Sequence, residues 1–330
     1  MDHFCDIAIR AKRLLFVFAL ALCASTAGAQ AYPSKPLHLV VPFAPGGAVD
    51  IIGRLMADAL SRSLGQPVVV DNRPGAGAAI GAEAVARSAP DGYTMLIGTS
   101  STHGVNSAVN PKLSYDPVKD FSPVVLLATA PWMVVVNPSL PVKTPKELID
   151  YAKAHPGKLN FASYGRGSSN HLATELLKAR AGIDVVHVPY KGSAPALLDL
   201  VAGQVNFMLD TWSTSAPLVE TGKIRLIGVT SEKRVAYAPN VPTVSESGVP
   251  GYVTGAFFAI WLPANTPAPI VERLNREFNA ALKQDGVRER LVKLGLQPAG
   301  GTPEELGRIV VNEVRTWADL VKQQNLKFDN

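Results

Sequence analysis

The feature that most constrains this chain is its alternation of short apolar runs with amphipathic stretches. Residues 37–42 read LHLVVP, an unbroken apolar run of the kind buried on both faces of a parallel sheet. Residues 48–64 then carry Ile51, Ile52, Leu55, Met56, Ala59, Leu60 and Leu64 at helical spacing. A strand over 68–71, a helix over 80–88 and a strand over 94–98 follow. This β-α-β-α-β order requires right-handed crossovers and hence a parallel sheet.

The same grammar resumes further on. Residues 121–137 form one long, valine-rich, strand-like segment. Helix 144–154 has Thr144 as N-cap, Pro145 at the first helical position and Glu147 two residues on. Strands are predicted at 159–162, 185–188, 207–209 and 224–230, with helices at 168–180 and 194–202 between them. A last apolar strand at 257–263 precedes helices over 268–282, 285–294 and 303–323. There is no internal repeat and no low-complexity tether. The expected architecture is α/β, with two lobes and a ligand cleft between them. Lobe 1 spans 32–131 and 256–330, lobe 2 spans 132–255, and hinges fall near 131–133 and 254–257.

The N-terminus reads as a leader. Arg10, Lys12 and Arg13 precede the apolar run 14–24, and small-residue A-x-A sites end at Ala29 and Ala31. The run is too short to span a bilayer, which takes about 20 apolar residues. Residues 1–31 are thus expected to be removed on export to the periplasm. Both cysteines, Cys5 and Cys23, lie in that segment, so disulfides, thiol catalysis and Cys-ligated metal are not expected in the mature protein. Net charge is +5, but the basic residues are scattered singly, so no nucleic-acid partner is expected. The six histidines, at 3, 38, 103, 155, 171 and 187, have no metal-ligand spacing. No metal and no cofactor is expected.

Ligands of open α/β sheets sit outside the carboxyl ends of the strands, so the loops there carry the candidate site. The first holds Phe43, Ala44, Gly46 and Gly47 and runs into Ala48 and Asp50. Its glycines let backbone approach a ligand, and the helix start favours an anion, although a plain tight turn explains Gly-Gly equally well. The second, around Gly75, Gly77 and Gly81, lacks the dinucleotide spacing and reads as a turn or packing element. The third offers Thr99, Ser100, Ser101 and His103. In the second unit, Gly165, Ser168, Ser169, Asn170 and His171 open a helix, and Arg166 beside them is a possible carboxylate partner. Tyr190, Lys191 and Gly192 open another. Asp210 follows a strand and either meets the ligand or caps backbone. Trp212, Tyr190 and Phe43 are candidates for stacking or for packing.

Taken in order, VPFAPGGAVDIIGRL, VVVDNRPGAGAAIG, APDGYTMLIGTSSTHGVNSAVNP, GRGSSNHLATELL, VPYKGSAPALLDLVAGQV and the late WLPANTP resemble the substrate-binding components of tripartite tricarboxylate transporters, the Bug family. The resemblance runs over nearly all of 32–330. It implies a two-lobed, type II periplasmic-binding-protein-like α/β fold. It also implies a monomeric, non-enzymatic receptor that passes a small organic acid to membrane transporter subunits. That acid would be a mono- or dicarboxylate, with aromatic and amino acids included. It further implies that the ligand carboxylate meets backbone of the first loop and of the second-lobe loops. Two positions depart from the family: Ser101 stands where glycine is frequent, and Gly53 where alanine is usual. Two other readings compete with this one. An exported hydrolase would use Ser101 or Ser168 with His103 or His171, although no G-x-S-x-G elbow surrounds these serines. A sensory module would share the binding site and hand the signal to a membrane kinase.

Overall fold

The computed structural model describes residues 32–326. The chain divides after Lys35 into a short N-terminal unit, described over 32–35, and a body beginning at Pro36. The leader, its cleavage point and both cysteines lie outside the described residues.

The body contains two sheets. In the first, β1 (Leu37–Val41) pairs in parallel with β2 (Val68–Asn72) and β3 (Thr94–Thr99). Beyond β3 come β10 (Gly255–Pro263), β4 (Phe121–Pro131) and β11 (Gln297–Pro298), so the order is β11-β4-β10-β3-β1-β2. β10 runs antiparallel to both β3 and β4. The second sheet has the order β7-β6-β8-β5-β9, built from β5 (Met133–Val136), β6 (Asn160–Ser163), β7 (Val186–Pro189), β8 (Phe207–Asp210) and β9 (Arg225–Val229). There β6 is parallel to β7 and β8, and β5 is antiparallel to β8 and β9. Each sheet carries its own helices. The two lobes are thus α/β units of the same plan.

The helices are α1 (Ala48–Leu64), α2 (Ala79–Ala86), α3 (Asn106–Val109), α4 (Pro145–Ala154), α5 (Ser169–Ala181), α6 (Ser193–Val201), α7 (Trp212–Glu220), α8 (Ala268–Lys283), α9 (Asp285–Lys293) and α10 (Pro303–Gln323). A 3-10 turn at Ala76–Ala78 and a π turn at Ser101–Val105 complete the set. Among these described helices none is long and apolar enough to cross a membrane. Caps set several starts. Thr144 accepts from the Glu147 amide, and Thr302 and Glu305 form a reciprocal capping box at α10.

Two sequence expectations are corrected. The segment 121–137 is two strands in two sheets, separated at Trp132. Pro131 has no amide to continue the ladder, and both backbone groups of Trp132 bond to Thr230 instead. The hydroxyl-bearing loop after β3 is a helical π turn continuous with α3. Gly53 also has a packing reason: a Cβ there would lie 3.2 Å from Val41 Cγ2, where α1 crosses β1. The helix-propensity cost of glycine is offset by this close helix–strand contact.

Candidate functional site

The loop from β1 to α1 is held by charge outside the cavity. Gly46 has φ +81°, a left-handed conformation that suits glycine. Its amide donates to Asp50 Oδ2 at 3.0 Å. Arg54 Nε bonds the same oxygen at 3.0 Å, and Asn72 Nδ2 reaches Asp50 Oδ1 at 3.0 Å and the Phe43 carbonyl at 3.1 Å. Burial alone would raise the Asp50 pKa, but the bonds from Arg54, Gly46 and Asn72 outweigh it and hold the carboxyl below its usual value. Asp50 is therefore a brace for the loop. Gly47, the N-cap, carries no side-chain cap, and the first-turn amides of α1 have no intrahelical acceptors.

Opposite this loop stand the loops of the second lobe. The Ala44 amide donates to the Lys191 carbonyl at 3.0 Å. Gly192 has φ +143°, and a Cβ there would sit 3.3 Å from the Ala44 nitrogen. Ser101 Oγ accepts from the Ser169 amide at 2.9 Å and lies 3.1 Å from Ser169 Oγ. Gly77 packs so closely on the backbone of residues 166–167 that a Cβ would come within 2.2 Å of the Arg166 carbonyl oxygen. Strand-end loops of the two lobes thus touch directly.

Between them lies a cavity with about 370 Å³ of atom-free space, mouth included, of which a water centre can occupy about 20 Å³. Lobe 1 lines it with Phe43, Gly47, Ala48, Val49, Thr99 and Ser101, and strand β10 adds Ala256 and Phe258. Lobe 2 lines it with Tyr164, Ser169, Ser193 and Thr211, and Trp132 closes the side where the chain crosses between sheets. None of these side chains is charged. Ala48, Ser169 and Ser193 are the first residues of α1, α5 and α6, and Thr211 is the N-cap of α7. Four helix N-termini therefore converge on one neutral cavity, each contributing partial positive charge.

Asp210 lies behind the lobe 2 wall with no solvent exposure. Ser193 Oγ and Thr214 Oγ1 donate to it at 2.8 Å each, and Tyr164 Oη and Ser215 Oγ donate as well. Burial, then the neighbouring Asp210 charge, pushes the Tyr164 phenol well above its ordinary pKa. Asp210 thus meets the cavity only through hydroxyls that donate hydrogen bonds to it.

Of the sequence candidates, Phe43, Gly47, Ala48, Thr99, Ser101 and Ser169 reach the wall. The others take different places. Ser100 Oγ accepts from the Phe257 amide at 2.9 Å, tying the π turn to β10. His103 is fully buried against Trp261, with ring centroids 4.0 Å apart and planes at 8°, and its Nδ1 lies 2.8 Å from Thr102 Oγ1. Burial lowers its pKa to about 3, so it is a neutral core side chain and not a ligand or base at the cavity. Ser168 Oγ stays within its own loop, where its one hydrogen has the Gly165 carbonyl at 2.7 Å and Asn170 Oδ1 at 2.9 Å as acceptors. Asn170 Nδ2 ties the loop to the Leu209 carbonyl. His171 stacks on His187 at 3.8 Å and its Nδ1 accepts from the Gly167 amide. Tyr190 Oη bonds Asp199 at 2.6 Å, and Lys191 contributes its carbonyl while its side chain is exposed. Trp212 stacks on Tyr237. Ala44, Gly46, Gly165 and Gly192 shape backbone. The wall residues that sequence reasoning missed fall in two groups. Val49, Tyr164 and Ser193 lie within the chosen loops without having been singled out, and Thr211 flanks Asp210. Trp132 lies where the chain crosses between sheets, and Ala256 and Phe258 lie on strand β10, neither of which a rule about strand-end loops reaches.

Two α/β lobes meeting over a cavity ringed by helix starts define a two-lobed solute-receptor fold. The tripartite tricarboxylate transporter family receptor model (TctC) matches residues 52–326. BugT of Bordetella pertussis is 37% identical over 321 residues, covering 96% of this chain and 98% of BugT. An R. palustris protein solved with adipate superposes with a TM-score of 0.86 at 41% identity, covering 89% of this chain and 98% of that one. MatC from Rhodopseudomonas palustris, solved with bound malate, gives 0.85 at 38% identity, over 88% and 100% of the two chains. The chain belongs to the tripartite tricarboxylate transporter receptor family.

Proposed function

We propose that this chain is a periplasmic receptor that captures a small organic carboxylate in the interlobe cavity and presents it to the membrane subunits of a tripartite transporter, without turning it over. The observation that carries the reading is the convergence of four helix N-termini on a cavity lined by no charged side chain. Such a site offers helix-start partial positive charge and amide donors for one anion, and the Asp210 carboxylate behind its wall is covered by four hydroxyl donors. The family and the carboxylates held by the two R. palustris relatives support the same ligand class. The layout of residues 10–31 supports export and periplasmic residence.

Lobe 1 is taken as 32–131 with 256–330, lobe 2 as 132–255, and the hinge segments as 131–133 and 254–257. An acid with a carbon body needs more room than the present cavity gives, so entry requires the lobes to part and close again, within a monomer. A hydrolase gains nothing from the geometry: the hydroxyl of Ser101 pairs with Ser169, and His103 pairs with Thr102 in the core.

Calorimetry of ligand-stripped protein tests the reading with aliphatic and aromatic mono- and dicarboxylates, and absence of heat for all of them counts against it. Gly47→Val places two methyls at the start of α1, facing Ser193, at a backbone of φ −83° and ψ 171° that valine tolerates. Affinity should fall at least about tenfold, the loss of one good charge-assisted contact, with an unchanged circular dichroism spectrum. Wild-type affinity would place the ligand elsewhere.

A further inference from the structure

Trp132 sits where the chain passes from the first sheet to the second, and it lines the cavity. Its backbone is pinned on both sides. The amide donates to Thr230 Oγ1 at 2.9 Å, and the carbonyl accepts from the Thr230 amide at 2.9 Å. Its ring meets Tyr164 edge-on, with centroids 5.9 Å apart. Tyr164 is itself fixed by its bond to Asp210. The indole is therefore held in one place before any ligand arrives.

Its Nε1–H is buried and has no hydrogen-bond partner. Donors in that condition are rare in folded proteins, because burial removes water without supplying an acceptor. Four other buried side-chain atoms share the condition among the described residues: His103 Nε2, Trp261 Nε1, Ser231 Oγ and Thr254 Oγ1. None of these belongs to a side chain in the cavity wall. The neighbouring hydroxyls do not duplicate the indole's role. Ser193 Oγ and Tyr164 Oη donate their hydrogen bonds to Asp210 and offer lone pairs elsewhere. The indole is the complementary group, a rigid neutral donor on the crossover side of a cavity whose other donors are helix-start amides and the rotatable hydroxyls of Thr99, Ser101, Ser169 and Thr211.

We infer that Trp132 Nε1–H is a ligand-binding group, which donates a hydrogen bond to an acceptor oxygen of the bound organic acid. The inference rests on the carboxylate-receptor reading and deepens it. The ligand carries an oxygen that reaches the crossover wall while a carboxylate oxygen meets the start of α1. Trp132 thereby reads ligand shape from the segment that joins the two sheets.

The test uses protein labelled with ¹⁵N at its four tryptophans, titrated with malate, adipate and benzoate and followed by calorimetry in parallel. The Trp132 indole resonance is assigned in the wild type from its contacts with Tyr164, so the readout does not depend on a variant folding. Binding should move that resonance downfield and slow its exchange with water. Trp132→Phe keeps an aromatic wall and removes the donor, and should weaken the best ligand about tenfold to a hundredfold. An unmoved Trp132 resonance in a saturated complex, or a folded W132F that binds within about twofold of wild type, overturns the inference and leaves the receptor reading standing. Failure of the wild type to bind any of the three acids takes down the carboxylate reading and this assignment together.

Discussion

The two walls of the cavity are built on opposite electrostatic plans. Lobe 1 places its charges outside. Asp50, Arg54 and Asn72 brace the β1–α1 loop from behind and leave the amides of α1 free to face inward. Lobe 2 buries its charge inside. Asp210 sits behind the wall with four hydroxyl donors around it, two of them from the wall residues Tyr164 and Ser193. Lobe 1 therefore shows the cavity one helix start, and lobe 2 shows it three helix starts together with hydroxyls whose hydrogens are committed to Asp210. A wall of amides suits any carboxylate, whereas a wall of committed hydroxyls distinguishes ligands by where they carry a hydrogen to donate. The difference points to the hydroxyls of the second lobe as the place where ligands are told apart.

That division holds only if the walls meet, and the largest predicted effect breaks the meeting itself. Gly77 has φ +60°, and its missing Cβ is what lets the lobes touch, since the Arg166 carbonyl occupies the place. Gly77→Ala cannot be absorbed by a rotamer, because the obstacle is backbone. If it lowers the closed population to about one in a hundred, apparent affinity falls about a hundredfold. The fold should lose only the 1–2 kcal/mol or so of a left-handed alanine. Calorimetry reads the affinity and small-angle scattering the missing ligand-induced compaction. A G77A protein that compacts with ligand as the wild type does would show that closure does not pass through this contact.

The second effect is aimed at lobe 2 alone. Asp210→Asn keeps the shape but offers two N–H donors to hydroxyls now oriented as donors. Some must turn around, and those of Ser193 and Tyr164 turn toward the cavity. Loss of charge-assisted bonds should cost roughly 2–4 kcal/mol. That corresponds to a Tm lower by roughly 4–8 °C for a protein of this size. Ligand preference should change as well as affinity, since the acceptor wall becomes a donor wall. If D210N loses affinity for all acids by one common factor, Asp210 is only scaffolding and the discrimination attributed to lobe 2 is misplaced.

The plan of two α/β lobes was legible because buried strands and amphipathic helices leave different periods in sequence. The loops of the site were legible for a related reason: strand ends in such sheets face the cleft. Which side chains within a loop face inward was not. Thr99 and Ser101 reach the cavity while Ser100 and His103, one and two positions away, turn toward β10 and the core. That outcome depends on the π turn at Ser101–Val105, and no local propensity announces it. Nor was the pairing of Ser101 with Ser169 visible, since it joins residues 68 apart. Trp132 fell near an expected hinge at 131–133, but its side chain looked like one more residue of a long apolar strand. Its exit from both ladders depends on Thr230, nearly a hundred residues later.

The smallest predicted effect separates the lobes by their histidines. His103 in lobe 1 is alone in an aromatic core, and burial lowers its pKa to about 3. In lobe 2, burial first and neighbouring positive charges second lower His171 to about 3 and His187 to about 4. Facing that pair are Arg166, Lys178 over the Phe161 ring, Glu175 at 3.8 Å from His171 Nε2, and Ser163 at 2.6 Å from His187 Nε2. In the unfolded chain all three titrate near 6.5. The unfolded state then binds protons that the folded state refuses, so stability falls as pH drops from about 6.5 toward 4. Each histidine contributes a slope of about 1.4 kcal/mol per pH unit across that window. His103→Phe keeps the stack on Trp261 and removes one proton from the balance. Urea unfolding at pH 7, 6 and 5 should show the slope reduced by about that single-proton amount, and H187F should reduce it by about as much, because a native pKa of about 4 also lies below this whole range; the two part only near pH 4. Equal slopes in wild type and H103F would mean that His103 takes up its proton in the native state, and the dry aromatic core assigned to lobe 1 would have to admit water.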